Sequence, residues 1–535
     1  MKIRRRTVLV APAALGLAAA LPAPKRRNII FILVDDLRFD AMGFLRPGLK
    51  TPNIDRLARQ GVHFANAFVT TSLCSPSRAT ILTGLPMHEH GIIDNNNPEP
   101  ADLHFFPEHL RAHGYRTAFI GKWHMGAATD APRPGFDHWV SFAGQGNYYP
   151  TDGIAPQEVA AGKRHQLNVD GAHVPQRGYI TDELTDYALD WLKKYDDRPF
   201  FLYLSHKAVH AMFKPSPDHA KDNVDAALAR PGPQLKRSEQ PLWAQDQRNS
   251  LMGVEFPFNE DPATLRDHER NYLRTLESVD DNLGRLLAWI DAEKIAGETT
   301  VLFTSDNGFM FGDRGLIDKR VAYEPSIRVP LLAWSPGLFA ANTRATGMVA
   351  NLDFAPTIVD LAGIAPLPQF QGRSFLPEAR GHAPADGGRK ELVYEYYWEF
   401  NYPQIPTTFA LRTDRYKYIQ YHGVRDIDEL FDMTNDPFEL RNLIDDEAML
   451  EVKVAMRRRL YDGLADKGGK HAIGFGRKDN AGSIYFNATG NPRAPYPDAW
   501  ERAPGEPDLN LHVVPDSRAK MVLIRERAAR AAKQR

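Results

Sequence analysis

The segment Asn28-Ile29-Ile30-Phe31-Ile32-Leu33-Val34 is apolar from its second residue to its last, then stops at two adjacent acids, Asp35-Asp36. An apolar run without alternation belongs to a strand buried on both faces, as in a parallel sheet covered by helices on either side. The pattern recurs. Residues 116–120 read as a strand with Lys122 and His124 just beyond it, and residues 200–204 as a strand followed by His206 and His210. Residues 299–304 read as a strand followed by Asp306-Asn307-Gly308, and residues 328–334 as one more. A short strand over 62–69 leads into Cys74-Ser75-Pro76-Ser77-Arg78.

Helices are expected between these strands. One starts at Thr51 as N-cap with Pro52 in the first turn and ends at Gly61. Others are expected over 107–113, 182–195 and 264–294, the last with Leu273, Leu276, Val279, Leu283, Leu286 and Leu287 on one face. Strands alternating with helices imply an α/β, doubly wound parallel sheet. Ligands in such sheets bind beyond the carboxyl ends of the strands. The polar residues at four strand ends, and those of the cysteine turn, are therefore expected to converge at one edge.

Cys74 is the only cysteine in 535 residues, so it forms no internal disulfide. It is either an inert core residue or a chemical one. Its polar and turn-forming neighbours favour the second. Pro76 suits the first turn of a helix, which puts Cys74 at a helix N-terminus with Arg78 one turn later. Both features favour an anion there.

Lys and Arg number 66 against 67 Asp and Glu, a formal net charge of −1, which gives no support for a nucleic-acid or membrane-surface partner. Lys2, Arg4, Arg5 and Arg6 precede an alanine-rich apolar run over 8–21 with small residues at 18–23. This reads as an export signal over residues 1–24, too short for a transmembrane helix, and implies a periplasmic or secreted protein without stable membrane association. Composition shifts to Gly, Pro, Ala and charge around 377–390. Beyond it come short aromatic-rich strands and a helix over 447–464, expected as a small antiparallel sheet with a helix packed on it. The expected domains are thus a catalytic unit over 25–385 and an α+β subdomain over 386–480. A tail over 481–535 ends in a basic helix from 518, and residues 215–262 form a long insertion near the site.

Asp35, Asp36, Asp306 and Asn307 offer only oxygen ligands, which selects Ca²⁺ or Mg²⁺ over zinc; Asp306-Asn307-Gly308 alone equally suits a plain turn. Arg78, Lys122 and Lys319 beside such a cation make an electropositive pocket for a tetrahedral oxyanion, sulfate or phosphate. Lys319 has Asp318 next to it and could instead be held in a local ion pair. His124 and His210 can exchange protons near neutral pH.

These residues resemble a known family. Cys74-Ser75-Pro76-Ser77-Arg78, continued by Ala79 to Gly84, resembles the cysteine-x-proline-x-arginine signature of the type I, formylglycine-dependent sulfatases. Gly121-Lys122-Trp123-His124-Met125-Gly126 resembles their second signature, and Asp35-Asp36, Asp306-Asn307-Gly308 and Lys319 fall in the family's order. The resemblance implies an alkaline-phosphatase-like mixed, mostly parallel sheet flanked by helices, with a smaller C-terminal antiparallel subdomain. It implies that a separate formylglycine-generating maturation enzyme converts Cys74, and that the hydrated aldehyde is the nucleophile. It further implies that Asp35, Asp36, Asp306, Asn307 and the modified residue 74 bind Ca²⁺, with Mg²⁺ second. Arg78 and Lys122 would hold residue 74 and the sulfate, His210 and Lys319 would assist the leaving alcohol, and His124 would deprotonate the remaining hydroxyl to expel sulfate.

One departure stands out: many members have alanine-proline-histidine-x-proline where this chain has Ala208-Val209-His210-Ala211-Met212, with His206 a rival for His210. The run Ser205 to His210 and the Tyr394 to Asn442 region, including Asn401-Tyr402-Pro403-Gln404, resemble sugar sulfatases of the N-acetylglucosamine-6-sulfatase type. The implied partner is a sulfated saccharide, such as a 6-sulfated N-acetylglucosamine of a glycosaminoglycan or mucin glycan. Alternatives are a phosphonate or phosphoester hydrolase of the same superfamily, an arylsulfatase, a non-catalytic glycan-binding protein on this scaffold, and a hydrolase using the Cys74 thiolate itself.

Overall fold

Strand β1 (Asn28–Val34) is buried at every position and lies between β7 (Phe200–Ser205) and β8 (Thr299–Ser305), parallel to both. This is a computed structural model that describes residues 26–466 except 127–128, 195, 229–239, 246–261, 400–401 and 423–425, together with positions 526 and 529. Leu33 pairs with Ser205 and Val34 with Ser305, and β3 (Arg116–Lys122) runs parallel beside β7 with Gly121 opposite Ser205. The four strands whose ends carry the polar residues are thus immediate neighbours that finish at one level. Gly121 makes this possible: a Cβ there would lie 1.8 Å from the carbonyl oxygen of Ser205, so no larger residue fits between β3 and β7.

The sheet has ten strands. Beyond β3 lie β4 (His138–Phe142), β5 (Gln166–Val169) and β6 (Ala172–Pro175); beyond β8 lie β11 (Leu331–Trp334), β2 (Val62–Phe68) and β12 (Thr343–Ala350). The sheet is mixed and mostly parallel, as the family resemblance implies, whereas strand–helix alternation alone reads as parallel throughout. β11 is antiparallel to both β8 and β2, and β5 to both β4 and β6. Between β8 and β11 the chain has only two-residue strands β9 (Met310–Phe311) and β10 (Ile317–Asp318) and short helical turns. No crossover helix carries it back, so it returns antiparallel.

Adjacent residues of β7 show both layers. Phe200 packs on Trp191 and Trp289, from the helices Ile180–Leu192 and Pro262–Ala292, with centroids 6.1 and 6.2 Å away. Phe201 points to the other face and meets Phe106 at 5.3 Å. On that face Phe31 of β1 packs on Tyr203 and on Phe354 of the Phe354–Leu361 helix, near helix α2 (Cys74–Thr83). Thr51 does precede helix α1 (Pro52–Gln60), but its hydroxyl accepts from Gly43 N instead of capping the helix. The carboxylate of Asp280, from the long helix, accepts from Asn53 N and Ile54 N at 2.7–3.1 Å and takes over the capping role.

The second sheet is antiparallel in the order β13 (Glu391–Tyr396), β14 (Thr407–Thr413), β15 (Tyr416–His422), β16 (Glu429–Asp432). Phe409, Leu411, Tyr418 and Leu430 face Met456, Leu460 and Leu464 of the Leu450–Asp466 helix. The alternate residues Ala410, Ile419 and Phe431 join the main core. Buried ion pairs Arg314–Glu429 (2.9 Å), Arg412–Glu324 (3.2 Å) and Lys417–Glu324 (2.8 Å) tie this sheet to the chain of the large one. The expected export segment, and nearly all of the expected tail and terminal helix, lie outside the described residues. No helix among the described residues is long and apolar enough to cross a membrane.

Candidate active site

The three acids are fully buried, and their oxygens lie within 4.8 Å of one another. Asp35 and Asp36 follow β1 and Asp306 follows β8. The loop ends are fixed by side chains: Ser305 Oγ donates to Val34 O and accepts from Leu37 N, and Tyr272 OH donates to Asp36 O. Asp36 has φ 61°, a left-handed conformation that a non-glycine residue adopts only when its surroundings impose it. Asp306 Oδ1 accepts from Asp36 N at 3.1 Å and Asn307 N at 2.9 Å, and Asn307 Nδ2 donates to Asp36 Oδ1 at 2.6 Å.

Burial pushes Asp36 up to about 7, against the pull of Lys319 and with added repulsion from Asp35 and Asp306. Asp306 also lies above the ordinary carboxylate range, through burial and then Asp35. Such a cluster is relieved by a cation. Asp36 Oδ2 and Asn307 Oδ1 are buried and have no hydrogen-bond partner. Unpaired buried oxygens beside clustered carboxylates, with no imidazole or thiolate among the four residues, fit a hard divalent ion.

Cys74 opens α2, and its Sγ lies 2.9 Å from Lys319 Nζ and 3.5 Å from Asp35 Oδ1. Arg78, one turn on, reaches Asp306 Oδ2 at 2.9 Å, Lys122 O at 2.6 Å and Ser205 Oγ at 2.7 Å. Lys122 pairs with Asp35, and Lys319 pairs with Asp36. Asp318 turns instead to Arg320 at 2.6 Å, so the local Asp318–Lys319 pair does not form. A helix start with nearby cations suggests a readily ionised thiol, but the surroundings reverse this. Burial pushes the Cys74 thiol up to about 12, even with Lys122 and Lys319 pulling it down. At neutral pH the residue is a thiol, a poor nucleophile.

His124 has φ 60° and its Nδ1 lies 3.4 Å from Ser75 Oγ. Burial, then Lys122, holds it well below the ordinary histidine range. His210 is held low by the same two causes; its Nε2 lies 3.7 Å from Asp36 Oδ2 and its Nδ1 2.7 Å from Ala211 O. Both imidazoles are therefore neutral. Asp36, His124, His210 and Lys319 line a cleft of about 320 Å³ that opens to solvent. His206 does not line it. Its ring is buried behind, and burial pulls it down to about 4.

Asp35, Asp36, Cys74, Arg78, Lys122, His124, His210, Asp306, Asn307 and Lys319 thus lie in one cluster, and the rival His206 stands apart from the cleft. Sequence reasoning missed others. Asn95 Oδ1 accepts from Ser75 N at 3.0 Å. Lys207, between the two histidines, is buried with its Nζ over the Tyr148 ring and is pulled down to about 8 by burial, with Lys122 next. Arg320 also lines the cleft: it donates to Glu399 at 2.7 Å and lies 3.5 Å over the Tyr402 ring. Its position beside Lys319 was the only signal. Asn401 lies outside the described residues.

Comparison with known proteins agrees with this geometry. The sulfatase family model matches residues 27–364, and the model for the C-terminal part of N-sulphoglucosamine sulphohydrolase matches residues 312–466. The N-acetylglucosamine-6-O-sulfatase of Bacteroides thetaiotaomicron is 32% identical over 514 residues, covering 83% of this chain and 88% of the relative. A solved structure in complex with its substrate D-glucosamine-2-N,6-O-disulfate superposes with a TM-score of 0.69 at 29% identity, covering 83% of this chain and 99% of that one. The phosphonate monoester hydrolase of Agrobacterium radiobacter has a TM-score of 0.67 at 21% identity, covers 83% of this chain and 96% of that one, and shares the fold.

Proposed function

The chain belongs to the sulfatase family and is a sulfuric ester hydrolase acting on carbohydrate, and from that premise we propose that it removes 6-O-sulfate from N-acetylglucosamine or a related glucosamine of a glycosaminoglycan or mucin-type glycan. The observation that carries the reading is the meeting of Cys74, Arg78 and three carboxylates directly behind a cleft lined by Asp36 and Lys319, in a chain similar over most of its length to an N-acetylglucosamine-6-O-sulfatase. Residues 1–24 are read as an export signal, which places the enzyme in the periplasm or outside the cell.

Asp35, Asp36, Asp306, Asn307 and residue 74 would hold Ca²⁺, which when bound supplies Lewis-acid charge beside the sulfate oxygens. Conversion of Cys74 by a maturation enzyme supplies a hydrated aldehyde in place of the inert thiol. The remaining work falls to the chain's own side chains. Arg78, pinned by Asp306, Lys122 O and Ser205, presents a fixed cation to residue 74 and cannot swing away. Lys122 and Lys319 add positive charge on either side, where negative charge grows as the ester bond breaks. Lys319, an ammonium with its Nζ 2.9 Å from Sγ, stands where the leaving alcohol needs a proton or charge, and His210 can pass a proton to that oxygen only after taking one up at Nε2, since its Nδ1 proton is held by Ala211 O. His124 is neutral, so it can accept a proton from residue 74.

The test is sulfate release by matured protein from a panel of mono-sulfated saccharides, run beside the matching phosphate monoesters. The reading requires release from 6-sulfated N-acetylglucosamine and slower turnover of phosphate; faster phosphate turnover would make the chain a phosphoester hydrolase on a shared fold.

A further inference from the structure

Outside the catalytic cleft, a second cluster of metal-ligating side chains joins the segment after His210 to the long Pro262–Ala292 helix. His219 Nδ1 lies 2.7 Å from Asp222 Oδ2 and 3.8 Å from Glu277 Oε2, and the three ligand atoms are all within 4.8 Å of one another. Glu277 is 2% exposed. Its Oε1 accepts from Lys50 N at 3.1 Å, but its Oε2 is buried with no hydrogen-bond partner. A buried, unpaired carboxylate oxygen facing an imidazole and a second carboxylate is costly unless something positive completes it.

The other ring nitrogen supplies the orientation. His219 Nε2 lies 2.8 Å from Asp281 Oδ2. A proton held on Nε2 by a carboxylate leaves Nδ1 free to ligate, an arrangement that recurs around metal-bound histidines. The ligand spacing also fits. Bonds of about 2.0–2.1 Å in a tetrahedral site separate neighbouring ligand atoms by about 3.3 Å. The two spacings from Nδ1 bracket that value, so shifts of about half an ångström close the site. Asp222 is 32% exposed and His219 15%, which leaves a path to solvent and room for a water.

We propose that His219 Nδ1, Asp222 Oδ2 and Glu277 Oε2 bind a divalent cation of the zinc type, with Asp281 as the residue positioning the imidazole. The imidazole ligand separates this site from the catalytic one, whose all-oxygen set suits Ca²⁺. Binding displaces any Nδ1 proton to solvent, while the Nε2 proton stays on the ring, hydrogen-bonded to Asp281. The ion clamps residues 214–222 against the helix. That segment begins just beyond His210 and is already held to the helix by Ser216 N donating to Ser278 Oγ, while Tyr179 OH donates to Lys214 O from the opposite side.

The experiment uses full-length protein stripped with chelator and then kept in excess Ca²⁺, so that the catalytic carboxylates are filled. Equilibrium dialysis against Zn²⁺ should leave one Zn²⁺ bound per chain and raise the thermal midpoint. Glu277→Gln, which keeps an acceptor for Lys50 N, and His219→Ala should lose that ion and the thermal shift. Asp281→Asn should weaken binding about 10–100-fold. Co²⁺ added to the wild-type protein provides a reading that needs no variant: the site predicts the strong visible absorption of tetrahedral cobalt. Wild-type protein that holds no more Zn²⁺ than His219→Ala, or that gives only the weak spectrum of six-coordinate cobalt, overturns the proposal and leaves His219 as an ion-pair bridge between Asp222 and Asp281.

Discussion

Lys319 Nζ lies 2.9 Å from Cys74 Sγ across 245 positions of sequence, and the same ammonium pairs with Asp36. One cation therefore touches both the residue proposed as the precursor of the nucleophile and a residue of the proposed metal set. Replacing it with alanine removes positive charge from the reacting centre and leaves Asp36 with one partner fewer. Lys319→Ala is expected to lower kcat by about 10²–10⁴-fold, with the far-ultraviolet circular dichroism unchanged. A loss confined to KM would place Lys319 in ground-state binding instead.

The high pKa of the Cys74 thiol makes the state of this residue a direct test of the chemistry. Mass spectrometry of the peptide spanning residue 74 in active protein should show the aldehyde mass, and Cys74→Ala should release no sulfate. An active preparation with an intact thiol throughout would restore the cysteine-hydrolase alternative.

Asp36 Oδ2 and Asn307 Oδ1 are the unpaired oxygens of the catalytic cluster. Stripping divalent ions is expected to abolish sulfate release, and Ca²⁺ to restore it. Asn307→Ala should raise the Ca²⁺ concentration needed for half-maximal activity by about 10–100-fold. Full turnover after exhaustive chelation would contradict the assignment.

Arg320 is held by Asp318 at 2.6 Å, Glu399 at 2.7 Å and the Tyr402 ring, with its guanidinium at the wall of the cleft. A fork fixed in this way can present its remaining N–H groups to a sugar at little entropic cost. Arg320→Ala is expected to raise KM for a sulfated saccharide by about 10–100-fold, and Arg320→Lys not to rescue it. A small aryl sulfate that does not reach Arg320 should lose much less; equal losses on both substrates would mark Arg320 as purely structural.

Asp280 caps α1 from another helix. Asp280→Ala should cost about 1–2 kcal/mol, read as a lowered thermal midpoint. An unchanged midpoint would mean that water replaces the carboxylate without penalty.

How much of this was legible beforehand follows from physical type. β1, β3, β7 and β8 were readable because strands buried on both faces are continuous apolar runs, and the residues after them could be placed at one edge by a rule of sheet geometry. β4, β5, β6 and β12 were not found: they are short or partly exposed, and β12 alternates buried and exposed residues over only part of its length. The reversal of β11 left no local mark, since direction depends on what lies between two strands. Within the site, Asp35, Asp36 and Asp306 were readable as a pattern. The Arg320–Glu399–Tyr402 wall was not, because it joins two chain segments that meet only through the packing of the small sheet on the large one. The capping role given to Thr51 failed for the same reason: Asp280, far along the chain, competes for the same N–H groups and wins.

The proposed reaction is hydrolysis of a glucosamine sulfate ester at the cleft lined by Asp36 and Lys319. It is tested most directly by measuring inorganic sulfate released from N-acetylglucosamine-6-sulfate by protein co-produced with a formylglycine-generating enzyme, beside Cys74→Ala made the same way. Stoichiometric sulfate release is expected from the first and none from the second. No release from any 6-sulfated glucosamine by protein whose residue 74 is fully converted would contradict it.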